Sequence, residues 1–345
     1  MSVMDHVRYL AEAIGPRGST TSKEAEAARY AAEVLNSAGL KPTTEHFVSA
    51  RSSYYPYALF AGLLLVGELF FCLAGGWGAA LAFALGAIAL LSVLLELAFR
   101  PNPLRWVLPK GRSQNVWARI APSGPEREQV VLLGHLDSHR TPLLFSSDNW
   151  LRFFRTLVPL GLASAVILLL LFFIGIFALS LVPRLISLPF ALLILVMLLL
   201  ILQADLSPYS AGANDNASGA GVVLSLAQRL AERPLQHTAV WAVLSGCEEV
   251  GCYGAEAFVR QHRGELGRAA WIALDSVGGQ GATVGYLTQE AFLLTSKSDP
   301  QLLALAGEVA RRRPELDACA HSFRGAYTEG AIGEVRPAGA HPRGF

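Results

Sequence analysis

Three short apolar runs in this chain each end in groups able to ligate a metal ion. Residues 130–134 run into His135 and Asp137, residues 239–244 into Glu248 and Glu249, and residues 270–274 into Asp275. Between the first two lies Asn-Asp-Asn-Ala-Ser-Gly (214–219), just ahead of a helical pattern. In open α/β sheets, ligands bind beyond the carboxyl ends of the strands. Acids and a histidine at three such ends, with an Asp at a helix start, are what a metal-dependent hydrolase needs.

Each piece also has a plain structural explanation. In an extended segment, residues two apart point to the same face, so Asp137 is placed to hold the imidazole of His135. A ligating histidine usually has such a carboxylate behind it, but a loop His and Asp need no metal. Asp215 or Asn216 alone could cap the helix that follows. Glu248-Glu249 could be a solvated acidic turn. Two adjacent acids at the end of a buried strand, however, call for a cation or for a proton on one of them. In that case one glutamate binds metal and its neighbour serves as general base. Asp275, ahead of Val-Gly-Gly, could merely cap a turn. Taken together, four carboxylates and a histidine at corresponding ends of sheet elements suit two divalent ions about 3.5–4 Å apart, bridged by a carboxylate and a water. Mixed His and carboxylate donors make zinc the expected metal.

The elements that must position these groups follow from periodicity. Residues 3–15 and 21–39 read as amphipathic helices, the second with Ala25, Ala28, Ala32, Leu35 and Leu40 near helical spacing and Gly39 as its stop. Residues 41–50 and 114–120 read as strands, and Val222, Val223, Leu226 and Leu230 mark a helix after the 214–219 motif.

Apolar residues make up 52% of the 345 and charged residues only 16%, a balance that points to membrane spans. Residues 57–75 and 79–99 are almost wholly apolar, with Gly-Gly-Trp-Gly (75–78) as the expected turn. A second pair, 157–181 and 185–202, is broken by Val-Pro-Arg (182–184). Each run is near the ~20 residues that cross a bilayer. The alternative is buried helices of a large soluble protein. The expected organisation is therefore a discontinuous catalytic domain, 1–54, 100–154 and 205–331, interrupted by hairpins at 55–99 and 155–204 and followed by a disordered or truncated tail, 332–345. Each hairpin returns the chain to the side it left. Arg51, Arg100, Arg105, Lys110, Arg152 and Arg155 flank the spans on that side, against Arg184 on the other. The positive-inside rule makes that side cytoplasmic and the chain an integral membrane protein, expected in the plasma membrane. Glu68 and Glu96 fall within the first pair, where acids are functional by default or bonded to a neighbouring helix.

A formal net charge of +1 and the lack of any Lys/Arg-rich block argue against a nucleic-acid partner. Cys72, Cys247, Cys252 and Cys319 form no CxxC pair and read as free thiols in a reducing compartment, with a disulfide or a thiol ligand as the alternative. The N-terminus carries no signal-peptide pattern. No GxSxG elbow is present, which argues against serine hydrolysis.

The order Gly-His-Leu-Asp-Ser (134–138), Asn-Asp-Asn-Ala-Ser-Gly (214–219), Glu-Glu-Val-Gly-Cys-Tyr-Gly-Ala (248–255) and Leu-Asp-Ser (274–276) resembles the M28 family of zinc metallopeptidases. Ala-Glu-Ala-Ile-Gly-Pro-Arg (11–17) is similar as well. The resemblance covers the soluble segments from about residue 3 to 330, with the hairpins as insertions. It implies an α/β fold of zinc exopeptidase type, a mixed sheet flanked by helices, and an aminopeptidase that cleaves N-terminal peptide bonds of a peptide substrate. It makes His135 and Asp275 ligands of one zinc, Asp215 the bridging ligand, Glu249 a ligand of the second zinc and Glu248 the general base. Asp137 would orient His135.

Two departures stand out. A membrane hairpin intervenes between His135 and Asp215, which is tolerable if its ends are close, because long insertions add little closure entropy. The family also adds a final histidine after one more strand. Ala-Tyr-Thr-Glu-Gly-Ala (326–331) resembles the stretch before that strand, but the sequence after it is rich in Gly, Pro and Arg, and His341 is the only later histidine. His321 reads as a substrate-pocket or surface residue. Without a fifth donor one zinc site is weakened, leaving a single ion or a non-catalytic membrane scaffold on the same fold as the alternative. A transporter with a regulatory soluble domain is a third reading, disfavoured by the absence of a repeat. Oligomeric state is not legible.

Overall fold

The computed structural model describes residues 1–98, 100, 102–178, 180–267, 269–279, 281, 283–291, 294–324, 327–333 and 343–344. In chain order the elements are α1 (Val3–Arg8), continued by a π turn (Tyr9–Ile14), α2 (Ser22–Ser37) and β1 (Thr43–Ala50). The apolar helices α3 (Tyr55–Leu73) and α4 (Gly75–Leu97) follow, then β2 (Lys110–Ile120) and β3 (Glu128–His135). A second apolar pair, α5 (Asp148–Phe177) and α6 (Val182–Leu206), precedes α7 (Gly219–Glu232), β4 (Thr238–Ser245), α8 (Tyr253–Leu266) and β5 (Ala270–Ala273). Last come β6 (Gly285–Ala291), β7 (Thr295–Lys297), α9 (Pro300–Arg312), β8 (Cys319–Arg324) and β9 (Arg343–Gly344).

These elements form two units. The first comprises residues 1–51, 109–139 and 209–345. Its main sheet runs β1-β2-β4-β3-β5-β9, with β2 antiparallel to its neighbours β1 and β4, and β4, β3, β5 and β9 parallel. β4 is apolar along nearly its whole length because a central strand is covered on both faces. Alternation along β3 sorts the two cores. Leu132 packs with Leu10 of the π turn, Ala28 and Leu35 of α2 and Val223 of α7, whereas Val131 and Leu133 pack with Trp241, Phe258 and Trp271 under α8. The mixed sheet flanked by helices is the architecture expected from the sequence. A smaller sheet, β7-β6-β8, lies apart from it.

Both excursions out of this unit leave and return at adjacent points. The Arg51 amide donates to the Pro109 carbonyl at 3.4 Å, closing the first. Ser210 donates its amide to the His139 carbonyl at 2.8 Å, and Ser138 Oγ donates to the Ser210 carbonyl at 2.9 Å, closing the second. The insertion between His135 and Asp215 therefore imposes little on the fold around them.

The second unit, residues 52–108 and 140–208, is built on α3–α6. All four helices are long and apolar enough to cross a membrane. Phe71, Ala82, Ala89, Leu168, Phe172 and Ile194 fill its interior, while Leu73, Trp77, Phe177, Leu192 and Leu199 point outward. The breaks fall differently from the sequence expectation. Gly75–Gly78 form the first turn of α4, and only Ala74 separates α3 from α4. Val182-Pro183-Arg184 likewise begins α6, since proline is accommodated in a first turn where its missing N–H has no partner to lose. Both acids of the first apolar pair are engaged. Glu68 Oε1 accepts the Ser187 hydroxyl at 2.6 Å and the Cys72 thiol at 3.3 Å. Glu96 pairs with Arg105 and accepts Asn102 Nδ2 at 3.1 Å.

Candidate metal centre

Strand register brings the donor groups level. β3 and β4 run parallel with His135 opposite Ser245, and β3 and β5 with Leu133 opposite Ala273. Asp275, two residues past Ala273, therefore arrives abreast of His135. The His135 ring is buried, and its Nε2 lies 3.3 Å from Asp215 Oδ1, 3.8 Å from Glu248 Oε2 and 3.8 Å from Asp275 Oδ1. Ligand atoms of His135, Asp215 and Asp275 lie within 4.8 Å of one another, and so do those of His135, Glu248 and Glu249. His135 belongs to both groups.

Asp137 does more than the sequence suggests. Its Oδ1 lies 3.4 Å from His135 Nδ1, and its backbone carbonyl lies 3.1 Å from the same nitrogen. The carboxylate also accepts the amides of Glu248 at 3.0 Å and Glu249 at 3.1 Å, and the Ser19 hydroxyl at 2.6 Å. One buried side chain thus orients the histidine and pins the acidic turn.

The 214–219 loop divides its labour. Asn216, not Asp215, makes the structural bonds. Its Oδ1 accepts the amides of Gly219 at 2.9 Å and Ser276 at 3.2 Å, and its Nδ2 donates to the Leu274 carbonyl at 2.8 Å. Asp215 is left free to face His135. Gly219 is required by space, since a Cβ there would lie 1.9 Å from the Leu274 carbonyl oxygen. Gly212 sits at φ 59°, and a Cβ there would meet the Asp215 carbonyl oxygen at 2.6 Å.

Three supporting residues escape the sequence reading. Arg17 is fully buried and donates to the carbonyls of Leu10, Gly15, Leu136, Ala211 and Gly212, tying the N-terminal loop to the end of β3 and to the Asp215 loop. Burial lowers its guanidinium to about 10, while Asp137 and Asp215 favour the charged form. Glu24 on α2 accepts the Cys247 amide at 2.8 Å, the Thr20 amide at 2.8 Å and Ser113 Oγ at 2.9 Å, holding the strand end that carries Glu248. It lies on the same stripe as Ala28, Ala31 and Leu35, and an acid on a core-facing stripe is a signal the sequence does contain. Glu329 is also buried, and burial, helped by the charges of Asp137 and Asp275 and opposed by His135, pushes its carboxyl up to about 7. It lies in the 326–331 stretch, whose resemblance points to a strand rather than to an acid. His341 and the rest of the tail at 334–342 lie outside the described residues.

The donor set fits a divalent cation. His135 Nε2 and Glu249 Oε1 are buried without a hydrogen-bond partner. Burial opposes a charge on His135, yet Glu248, Asp137, Asp215 and Asp275 together push its imidazole well above its ordinary value. Burial pushes the Glu248 and Glu249 carboxyls well above the usual range, and the neighbouring acids push the same way. Unmet negative potential around an orphaned imidazole nitrogen is the environment a divalent ion satisfies.

Residues 198–320 match the family model of Peptidase family M28. No curated protein matches the chain. Among solved structures, a leucine aminopeptidase precursor from Bacteroides thetaiotaomicron superposes with a TM-score of 0.53 at 12% identity, over 96% of this chain and 79% of that one. A glutaminyl cyclase from the same organism gives 0.52 at 12% identity, over 96% and 78%. A Zn-dependent exopeptidase from Parabacteroides distasonis gives 0.51 at 13% identity, again over 96% and 78%. At these identities the likeness is one of fold: the chain shares the fold of these zinc exopeptidases and glutaminyl cyclases, and its residues 198–320 match the Peptidase family M28 model.

Proposed function

We propose that this chain is a membrane-embedded zinc aminopeptidase. One observation carries the reading: the buried His135 Nε2, without a hydrogen-bond partner, faces the carboxylates of Asp215, Glu248 and Asp275. His135, Asp215 and Asp275 would hold one zinc ion, and Asp215 with Glu249 the second. When bound, the ions supply Lewis-acid polarisation and ease deprotonation of water. Glu248 accepts the proton of the attacking water and delivers it to the leaving amine. The Cys252 thiol, 3.4 Å from Glu248 Oε1, donates to this carboxylate. Asp137 fixes the imidazole of His135 and, through two amides, the placement of Glu248 and Glu249. The substrate is a peptide with a free N-terminus.

The four apolar helices, with leucine and phenylalanine on their outer surface, support a bilayer as the surroundings of the second unit. The excess of Arg and Lys on one flank of the spans supports a cytoplasmic peptidase domain.

The fold also carries glutaminyl cyclases, so the decisive assay follows both products. Purified full-length protein is offered aminoacyl-p-nitroanilides and, separately, peptides with N-terminal glutamine. The expected result is anilide hydrolysis that depends on zinc and is lost in Glu248→Ala while zinc is retained. Cyclisation without hydrolysis, or hydrolysis unaffected by Glu248→Ala, would overturn it.

A further inference from the structure

We propose that Cys319 and His321 form a nucleophilic thiol site that exchanges with low-molecular-weight disulfides. Both residues lie on β8, which occupies an edge of the small sheet. Two apart on a strand, they point to the same face. Cys319 Sγ is 3.1 Å from His321 Nε2 and 3.7 Å from Thr283 Oγ1. The opposing strand makes room for this pairing. Gly285 is the register partner of Cys319, and a Cβ there would lie 2.8 Å from Cδ2 of the His321 ring. Glycine on β6 thus leaves the space in which the imidazole leans toward the sulfur. The pair is accessible, with His321 exposed and Cys319 partly so.

The other three cysteines are built differently. Cys247 and Cys252 are buried, and burial pushes both thiols far up, away from the reactive thiolate. Cys72 lies within an apolar helix and donates its thiol to Glu68. Cys319 is the cysteine that pairs partial exposure with an imidazole at hydrogen-bond distance. The peptidase reading uses neither Cys319 nor His321, so the two stand or fall separately.

The exchange needs no further reagent. Cys319 Sγ attacks one sulfur of the disulfide as His321 Nε2 takes the thiol proton. A new Sγ–S bond forms, the old S–S bond breaks, and the departing thiolate recovers the proton from the imidazole.

The test uses full-length protein in detergent micelles and dithiobis(nitrobenzoate), whose charge keeps it out of apolar helices. Release of the coloured thiolate gives the rate, and mass spectrometry locates the adduct. One fast equivalent is expected, located on Cys319 and lost in Cys319→Ser. His321→Gln removes the base and should slow it by ~10-fold or more. Gly285→Ala retains the histidine but displaces it, and should slow the reaction too. A fast equivalent on another cysteine, its survival in Cys319→Ser, or a rate unchanged in both His321→Gln and Gly285→Ala would overturn the proposal.

Discussion

Asp137→Asn removes one oxygen and one charge from the group that organises the candidate metal centre. In the native protein Oδ1 accepts the Glu248 amide at 3.0 Å, while Oδ2 accepts the Glu249 amide at 3.1 Å and the Ser19 hydroxyl at 2.6 Å. Asparagine offers a single acceptor oxygen. In either orientation its NH2 group faces one of the two backbone N–H groups, and that donor is left buried and unmet. The expected loss of stability is ~1–3 kcal/mol for that donor. The Ser19 hydroxyl can rotate to accept, so it adds little. The second effect falls on the metal. His135 Nδ1 loses the charge 3.4 Å away that favours its orientation. Removal of such a supporting group typically weakens metal affinity by ~10–100-fold. The assay is zinc titration of the detergent-solubilised protein against a competing chelator, paired with thermal unfolding in the presence of chelator. Weaker zinc binding together with a lower Tm supports the scheme. A substituted protein that matches wild type in both would refute the reasoning.

Other substitutions separate binding from chemistry and from scaffolding. Glu248→Gln should keep its zinc, measured by elemental analysis, while kcat for peptide hydrolysis falls by ~10²–10⁴. Arg17→Met strips donors from five carbonyls, four of them in buried bonds, and should cost more than ~3 kcal/mol, read as a fall in Tm. Burial, followed by the Asp137 charge, pushes Glu24 up to about 8 from its ordinary 4.5. The folded protein therefore holds a proton that the unfolded chain releases. The stabilisation is complete below about pH 4.5 and is lost as pH rises through about 8. Glu24→Gln should flatten the dependence of Tm on pH in that window, measured with chelator present, and an unaltered slope would remove Glu24 from the account. Alkaline carbonate should leave the protein in the membrane pellet if α3–α6 span the bilayer, and should release it if they do not.

The donor residues are legible because each sits where an apolar run stops. His135, Glu248 and Asp275 are marked by the ends of β3, β4 and β5, whose register then makes them neighbours. What holds them is less legible. Ser19 reaches Asp137, and Glu24 reaches Cys247, across long stretches of sequence, and such pairings exist only once the helices have packed on the sheet. The choice of Asn216 over Asp215 as the capping residue depends on where Leu274 and Ser276 lie. The apolar helices are plain from composition, but their turns are not. Glycine and proline read as breaks, whereas the chain begins a new helix with them, where an unpaired first turn tolerates both.

The zinc content of the purified full-length chain tests the central claim most directly. After dialysis against trace zinc and removal of loose metal, elemental mass spectrometry should find at least one zinc per chain in wild type. His135→Ala and Asp215→Asn should each lower that figure while the proteins remain folded. Wild type that retains no zinc, or substituted proteins that retain as much as wild type, would contradict the assembly of His135, Asp215, Glu249 and Asp275 around shared cations.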